Sequence, residues 1–176
     1  MSAILLPYTH TCFVCGADNP HGLRLKFRVE NGEVRADYRP DARHEGYRGI
    51  IHGGIIASAL DEAMFWAAAY ATRRFHVSIQ LDVRYQKKVE VGQTYLLAAR
   101  ITGEQRRICS AVAELRNVHG EVCASASGRF FPMKLREVPL QHEDFFSDPT
   151  VLPPSELFRE EEQLPDDRKQ STIGPK

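Results

Sequence analysis

Two adjacent acids, Asp61 and Glu62, sit in the middle of a stretch from Ile55 to Thr72 that is otherwise rich in Ala, Leu, Ile, Met and aromatic residues. No Pro interrupts it, and the composition predicts one long helix that is apolar on almost every face, hence buried all round. An unpaired carboxylate there costs on the order of several kcal/mol, so an acid kept in such a helix has a use. Just before it comes His52-Gly53-Gly54. The glycine pair lets backbone approach closely at a helix N-terminus, where free N–H groups and the helix dipole favour negative charge. A carboxylate can attack a carbonyl or deprotonate water, and backbone N–H groups can stabilise the oxyanion that forms. Nine helical residues rise about 13 Å, so Asp61 cannot reach the mouth of its own helix.

Other residues invite chemistry less directly. Glu62 points about 100° away from Asp61 round the helix and reads as a structural or interface acid. His52 suits closing the turn into the helix as well as catalysis. Cys12 and Cys15 with His10 and His21 have a ligand spacing, but no second Cys-x-x-Cys follows. They read as plain buried thiols, with no metal expected. Lys87, Lys88, Arg106 and Arg107 suit phosphate binding and suit solvated strand ends equally.

The elements that must position these residues follow from periodicity. Leu23, Leu25, Phe27 and Val29 alternate with charged residues, as a half-buried strand does. Asn31-Gly32 is a hairpin turn signal, and Val34, Ala36 and Tyr38 give the partner strand. After the helix, Val77, Ile79, Leu81, Val83 and Tyr85 alternate with Ser78, Gln80, Asp82 and Arg84. Tyr95 to Ile101 makes another strand, turned at Thr102-Gly103-Glu104, and Ile108 to Arg116 with Val122 to Phe131 make a last pair. The order is two strands, a long helix, then four strands with short turns, which favours antiparallel neighbours. A sheet with one apolar face buries it by curling round the helix. Three segments are expected: an irregular N-terminal segment over 1–21, a domain over 22–133, and a Pro-rich polar tail over 134–176. Ser155 is the expected cap of a short helix in that tail.

Bulk properties narrow the function classes. The chain has 176 residues, 43% hydrophobic and 26% charged, as one globular domain plus a tail would have. Lys plus Arg and Asp plus Glu are both 23, so no global basic field points to nucleic acid. Ala3-Ile4-Leu5-Leu6 is too short for a signal peptide, and the acids in the long helix argue against a membrane span. Four Cys are too few for a disulfide scaffold and fit a reducing cytoplasm.

Residues 12 to 132 resemble the hotdog-fold acyl-CoA thioesterases, nearest to the 4-hydroxybenzoyl-CoA and phenylacetate-pathway type. The most specific part is His52-Gly53-Gly54 with an acid nine positions after the His, followed by Val77-Ser78-Ile79-Gln80-Leu81. The opening Cys12-Phe13-Val14-Cys15-Gly16 and Asn19-Pro20-His21-Gly22-Leu23 look like a subgroup of the same family. The resemblance implies an α+β hotdog fold: a curved antiparallel sheet of about six strands wrapped round one long central helix. It implies hydrolysis of acyl-CoA thioesters, with Asp61 as nucleophile or general base, the Gly53 N–H on the thioester oxygen, and Ser78 helping to place water. Gly54, Gly46, His44, Glu62, Lys87 and Lys88 fall at or near the expected substrate site. Many members carry Asn or Gln where this chain has Gly46, leaving His44, Glu45 or a water to substitute. Sites shared across a homodimer, or a dimer of dimers, are implied, with acyl-CoA as the partner and no separate cofactor. A non-catalytic acyl-CoA sensor or carrier and an enoyl-CoA hydratase of the same fold are the rival readings. Asp18-Asn19-Pro20-His21 superficially looks like the hydratase motif but precedes the first strand, out of place for it.

Overall fold

The computed structural model describes residues 3–138 and 140–159. Asn31 and Gly32 both take left-handed backbone, φ 52° and 81°, as a two-residue hairpin turn requires. They join β2 (Arg28–Glu30) to β3 (Glu33–Tyr38), with Val29 opposite Val34. The first strand is shorter than the alternation from Leu23 predicts. Arg24 is left-handed at φ 55°, and the N–H groups of Leu23 and Leu25 bond the carbonyls of Phe13 and Val14. Leu25 and Phe27 are buried all the same. The missing half of that strand has been traded for a clamp on the Cys12–Cys15 turn. Ahead of it, Ile4–Leu5 form β1, which pairs with β2 inside a segment expected to be irregular.

A small hairpin, β4 (Glu45–Tyr47) and β5 (Ile50–Ile51), leads into the long helix α1 (Gly53–Thr72). The helix starts two residues earlier than expected, so Gly53 and Gly54 form its first turn. It ends where Arg73 adopts φ 59° and its N–H bonds the Ala69 carbonyl. Four long strands follow: β6 (Phe75–Tyr85), β7 (Tyr95–Gln105), β8 (Ile108–Asn117) and β9 (Val122–Met133). The expected turn at Thr102-Gly103-Glu104 is instead a bulge within β7, between Ile101 and Gly103; the chain turns at Arg106 and Arg107, both left-handed. The sheet therefore has seven antiparallel strands, in the order β1-β2-β3-β7-β8-β9-β6.

This sheet lies against α1. Small residues on the buried face (Ala99, Ala111, Ala113, Ala124 and Ala126) let the helix approach. At Gly128 a Cβ would come within 3.1 Å of the Met64 methyl. The helix is not covered all round, as its composition suggests. Ile56, Leu60, Ala63, Met64 and Ala67 are buried, but Ser58, Asp61 and Phe65 are only partly buried and Gly54 is exposed. Positions three and four apart share a helix face, so these form one half-open stripe through Asp61. The edge strand β6 departs from a second expectation, since both its faces are largely exposed. Its apolar members Val77, Ile79 and Leu81 are 38%, 50% and 39% exposed, whereas His76 is buried. Among the described residues no helix is long and apolar enough to cross a membrane.

The segment after Met133 packs on the domain. Phe146 and Leu152 donate backbone hydrogen bonds to the carbonyls of Tyr8 and Leu5, and His10 donates to Asp144. A short helix, α2 (Pro154–Leu157), is capped by Pro153 with Pro154 in its first position, not by Ser155. Leu157 and Phe158 are buried, and the Phe158 ring lies against Trp66, Phe75 and Phe145. The described part of the expected tail, as far as Arg159, is therefore attached to the domain; residues 160–176 lie outside the described residues. Truncation after Gln141 should lower the melting temperature sharply. Leu157→Ala alone should cost about 2–5 kcal/mol in a denaturant titration; a cost below 1 kcal/mol, by the same scale, would count against a packed strap.

Candidate active site

The mouth of α1 is built from backbone. The His52 N–H bonds the His44 carbonyl, and His52 Nδ1 accepts the Gly54 N–H at 2.9 Å. His52 is thus the N-cap, and its ring is committed to that bond. The N–H groups of Ile55 and Ile56 bond the His52 carbonyl. Among the described residues the Gly53 N–H has no partner, so it is the donor left over at this helix end. Tyr85 donates its hydroxyl to the Gly53 carbonyl at 2.8 Å, and a Cβ on Gly53 would sit 3.3 Å from the Tyr85 ring. Gly46 lies so close to His52 that a Cβ there would come within 3.1 Å of its backbone. A cavity of about 610 Å³ is lined by Gly46, His52, Gly53, Tyr85, Lys87 and Lys88 among others. Lys87 pairs with Glu121 and Lys88 with Glu90, both exposed. Such pairs contribute little and are readily exchanged for a phosphate. His44 does not line this cavity: its Nε2 bonds the His21 carbonyl at 2.9 Å and its Nδ1 is buried with no partner among the described residues.

Asp61 belongs to a second cavity, of about 350 Å³, whose walls include Glu62, Ser78, Trp66, Phe75 and His76. Ser78 donates to Asp61 Oδ1 at 2.7 Å. A bulge in β6 between Ser78 and Gln80 locally re-aims the strand. Burial pushes the Asp61 carboxyl above the usual carboxylate range, and the Ser78 hydrogen bond partly opposes that shift. His76, which sequence reading passed over, is held down to about 4 by burial and is neutral. The structure thus brings Asp61 and Ser78 together, and Gly46, His52, Gly53, Lys87 and Lys88 together, but keeps the two groups in separate cavities.

Glu62 turns toward the N-terminal segment. Its Oε1 accepts the Trp66 indole N–H at 3.1 Å and lies 3.7 Å from Cys12 Sγ. Burial pushes its carboxyl up to about 8, with the neighbouring Cys12 adding to the shift. The Cys15 thiol and backbone N–H groups hold Cys12 low, at about 6, while the same contact and burial hold Cys15 high. Trp66 stands four residues after Glu62, a helical spacing that could have revealed their contact; the Cys12 contact, fifty positions away, left no such signal.

Comparison with known proteins agrees with this architecture. Residues 48–124 match the model of the thioesterase superfamily. An uncharacterized protein of Schizosaccharomyces pombe is 33% identical over 104 residues, 56% of this chain and 59% of that one. Acyl-coenzyme A thioesterase THEM5 of Mus musculus is 26% identical over 102 residues, 57% of this chain and 40% of that one. The match thus spans less than two thirds of either curated relative. The crystal structure of a thioesterase superfamily protein superposes with a TM-score of 0.65 at 24% identity, over 70% of this chain and 60% of that chain. The fold is a hotdog fold, and the likeness to the thioesterase superfamily is carried by residues 48–124.

The Glu62 shift has a consequence for stability. Its folded value of about 8 lies above the unfolded 4.5, so the native state holds a proton that the unfolded chain has released. The stabilisation is full below 4.5 and is lost as pH rises through about 8. In buffer containing a chelator, the melting temperature should fall across that window, and Glu62→Gln should flatten the fall. An unchanged pH profile in the variant would show that Glu62 titrates normally.

Proposed function

We propose that this domain hydrolyses acyl-CoA thioesters to free acid and coenzyme A as a homodimer. The observation that carries the reading is the Asp61 carboxylate on a half-open stripe of an apolar helix, bonded to Ser78 at 2.7 Å and facing a cavity. The match of residues 48–124 to the thioesterase superfamily and the likeness to a mouse acyl-coenzyme A thioesterase support it. Asp61 acts as nucleophile or as general base toward water. Ser78 orients the acid or that water, and the Gly53 N–H receives the oxyanion. The coenzyme A thiolate leaves with the electron pair of the broken C–S bond. A thiol pKa of about 8.5 makes it a good leaving group that needs little acid help. Lys87 and Lys88, at the mouth cavity, suit the coenzyme A phosphates.

Dimerisation follows from distance. Gly53 and Asp61 are eight helical residues apart, about 12 Å along the axis, too far to act on one carbonyl. A second copy laid against the exposed apolar edge of β6 and the stripe of α1 would set one protomer's mouth beside the other's acid. The reaction needs no group beyond these residues and water.

Asp61→Asn should lower turnover in a thiol-release assay by about a hundredfold or more, the scale of losing a general base, with binding of acyl-CoA retained. Full retention of turnover removes the assignment; binding with no thiol release in the unaltered protein makes the domain a carrier; hydration of an enoyl-CoA without free thiol makes it a hydratase. Ile79→Lys, on the exposed edge, should convert a dimer to a monomer by light scattering and abolish turnover together with it. A fully active monomer would overturn the shared site.

A further inference from the structure

We propose that Cys12, Cys15 and Glu62 form a binding site for a thiophilic divalent cation, Zn²⁺ by its donor set, with a fourth position open to the cavity that Asp61 also lines. The two Sγ atoms and a Glu62 carboxylate oxygen all lie within 4.8 Å of one another. Tetrahedral zinc, with bonds of about 2.3 Å to sulfur and 2.0–2.2 Å to oxygen, places two sulfurs about 3.8 Å apart and sulfur about 3.5 Å from oxygen. Cys12 Sγ and Glu62 Oε1 already stand at 3.7 Å.

The surroundings are arranged for a ligand set. The backbone N–H groups of Val14 and Cys15 converge on Cys12 Sγ at 3.3 and 3.4 Å. Two N–H donors aimed at one sulfur suit a thiolate, which accepts hydrogen bonds far better than a thiol does. The turn that aims them needs Gly16: its N–H bonds the Cys12 carbonyl, and a Cβ there would sit 2.2 Å from that oxygen. On the other side the Trp66 indole holds one Glu62 oxygen at 3.1 Å and so orients the carboxylate. These are the outer contacts that fix a metal's ligands in place. Sulfur donors select zinc over magnesium or calcium.

The histidines that the Cys-x-x-Cys spacing suggested are not in the set. His10 Nδ1 is paired with Asp18 at 2.6 Å, and His21 is exposed. Glu62, remote in sequence, takes their place. A cation there ties the N-terminal turn to the middle of α1. Three protein ligands leave one position for water or for a donor from whatever enters the cavity. The site stands independently of thioester hydrolysis: metal binding without turnover, or turnover without metal, tells the two readings apart.

The experiment uses the full chain, reduced, stripped of metal, and titrated with Co²⁺. One equivalent should give a thiolate-to-cobalt charge-transfer band in the near ultraviolet and intense tetrahedral d–d bands, both displaced by Zn²⁺. Protein purified without chelator should carry zinc by elemental mass spectrometry. Cys12→Ser and Cys15→Ser should each weaken the band and abolish tight binding. Glu62→Gln leaves both thiols in place, so it stays informative if those variants fold poorly; it should bind Co²⁺ at least about tenfold more weakly. Three outcomes overturn the proposal: no charge-transfer band in the unaltered chain, unchanged affinity in Glu62→Gln, or a Cys12–Cys15 disulfide whose reduction yields thiols that bind no metal.

Discussion

Two neighbouring carboxylates on one alanine-rich helix set the terms for much of this domain. Each must leave water to sit where it does, and each is given a different environment. Asp61 faces the half-open stripe and takes a single hydroxyl from Ser78, across to the edge strand. Glu62 faces the N-terminal turn, where an indole N–H and the Cys12 sulfur meet it. Consecutive helical residues diverge by about 100°, so one short sequence serves two separate requirements. Both carboxyls are pushed up by burial, the second to about 8. Neighbouring acids with unlike partners are how one helix can hold one carboxylate for chemistry and another for architecture.

The sheet is shaped around that helix. Its buried face uses alanines where the helix lies closest, and the larger Leu97, Leu115 and Phe130 fill the remaining space. Among the described residues the outermost strand β6 pairs only with β9, with its other backbone edge unpaired. A long apolar edge strand is an aggregation hazard unless something covers it. It meets the half-open helix stripe at the Ser78–Asp61 hydrogen bond, so the surface that most needs covering borders the acid. That coincidence is the physical basis for expecting a second copy there.

The helix, the four long strands and the Asn31-Gly32 hairpin were legible because their signals are local: composition, alternation, turn residues. Asp61 and Gly53 stood out as candidates because a buried acid and a glycine-led helix start are each unusual on energetic grounds. What was not legible is long-range. Alternation in β6 predicts one covered face, but this edge strand exposes Val77, Ile79 and Leu81 as well as Ser78, Gln80 and Asp82, and buries His76. Proline-rich composition concealed the C-terminal strap, whose attachment rests on a few side chains such as Leu157 and Phe158. Leu23 to Phe27 had a strand's pattern, yet the carbonyls of Phe13 and Val14 took the N–H groups that a strand partner would have used.

Gly46 shows how a departure from the family pattern follows from packing. The family resemblance implies an amide side chain there, which suggested a missing helper. In this chain the β4 backbone runs against His52, and a side chain at position 46 would press on the residue that caps α1. Moving His52 would release the Gly54 N–H it holds and disturb the orientation of the Gly53 N–H beside it. The mouth is therefore a backbone device, held by His52 on one side and by the Tyr85 hydroxyl on the other. A thioester suits such a site. In the proposed reaction the thiolate departs without a strong proton donor, so an oriented N–H and a desolvated carboxylate would cover the two demands that remain, with no side-chain amide required.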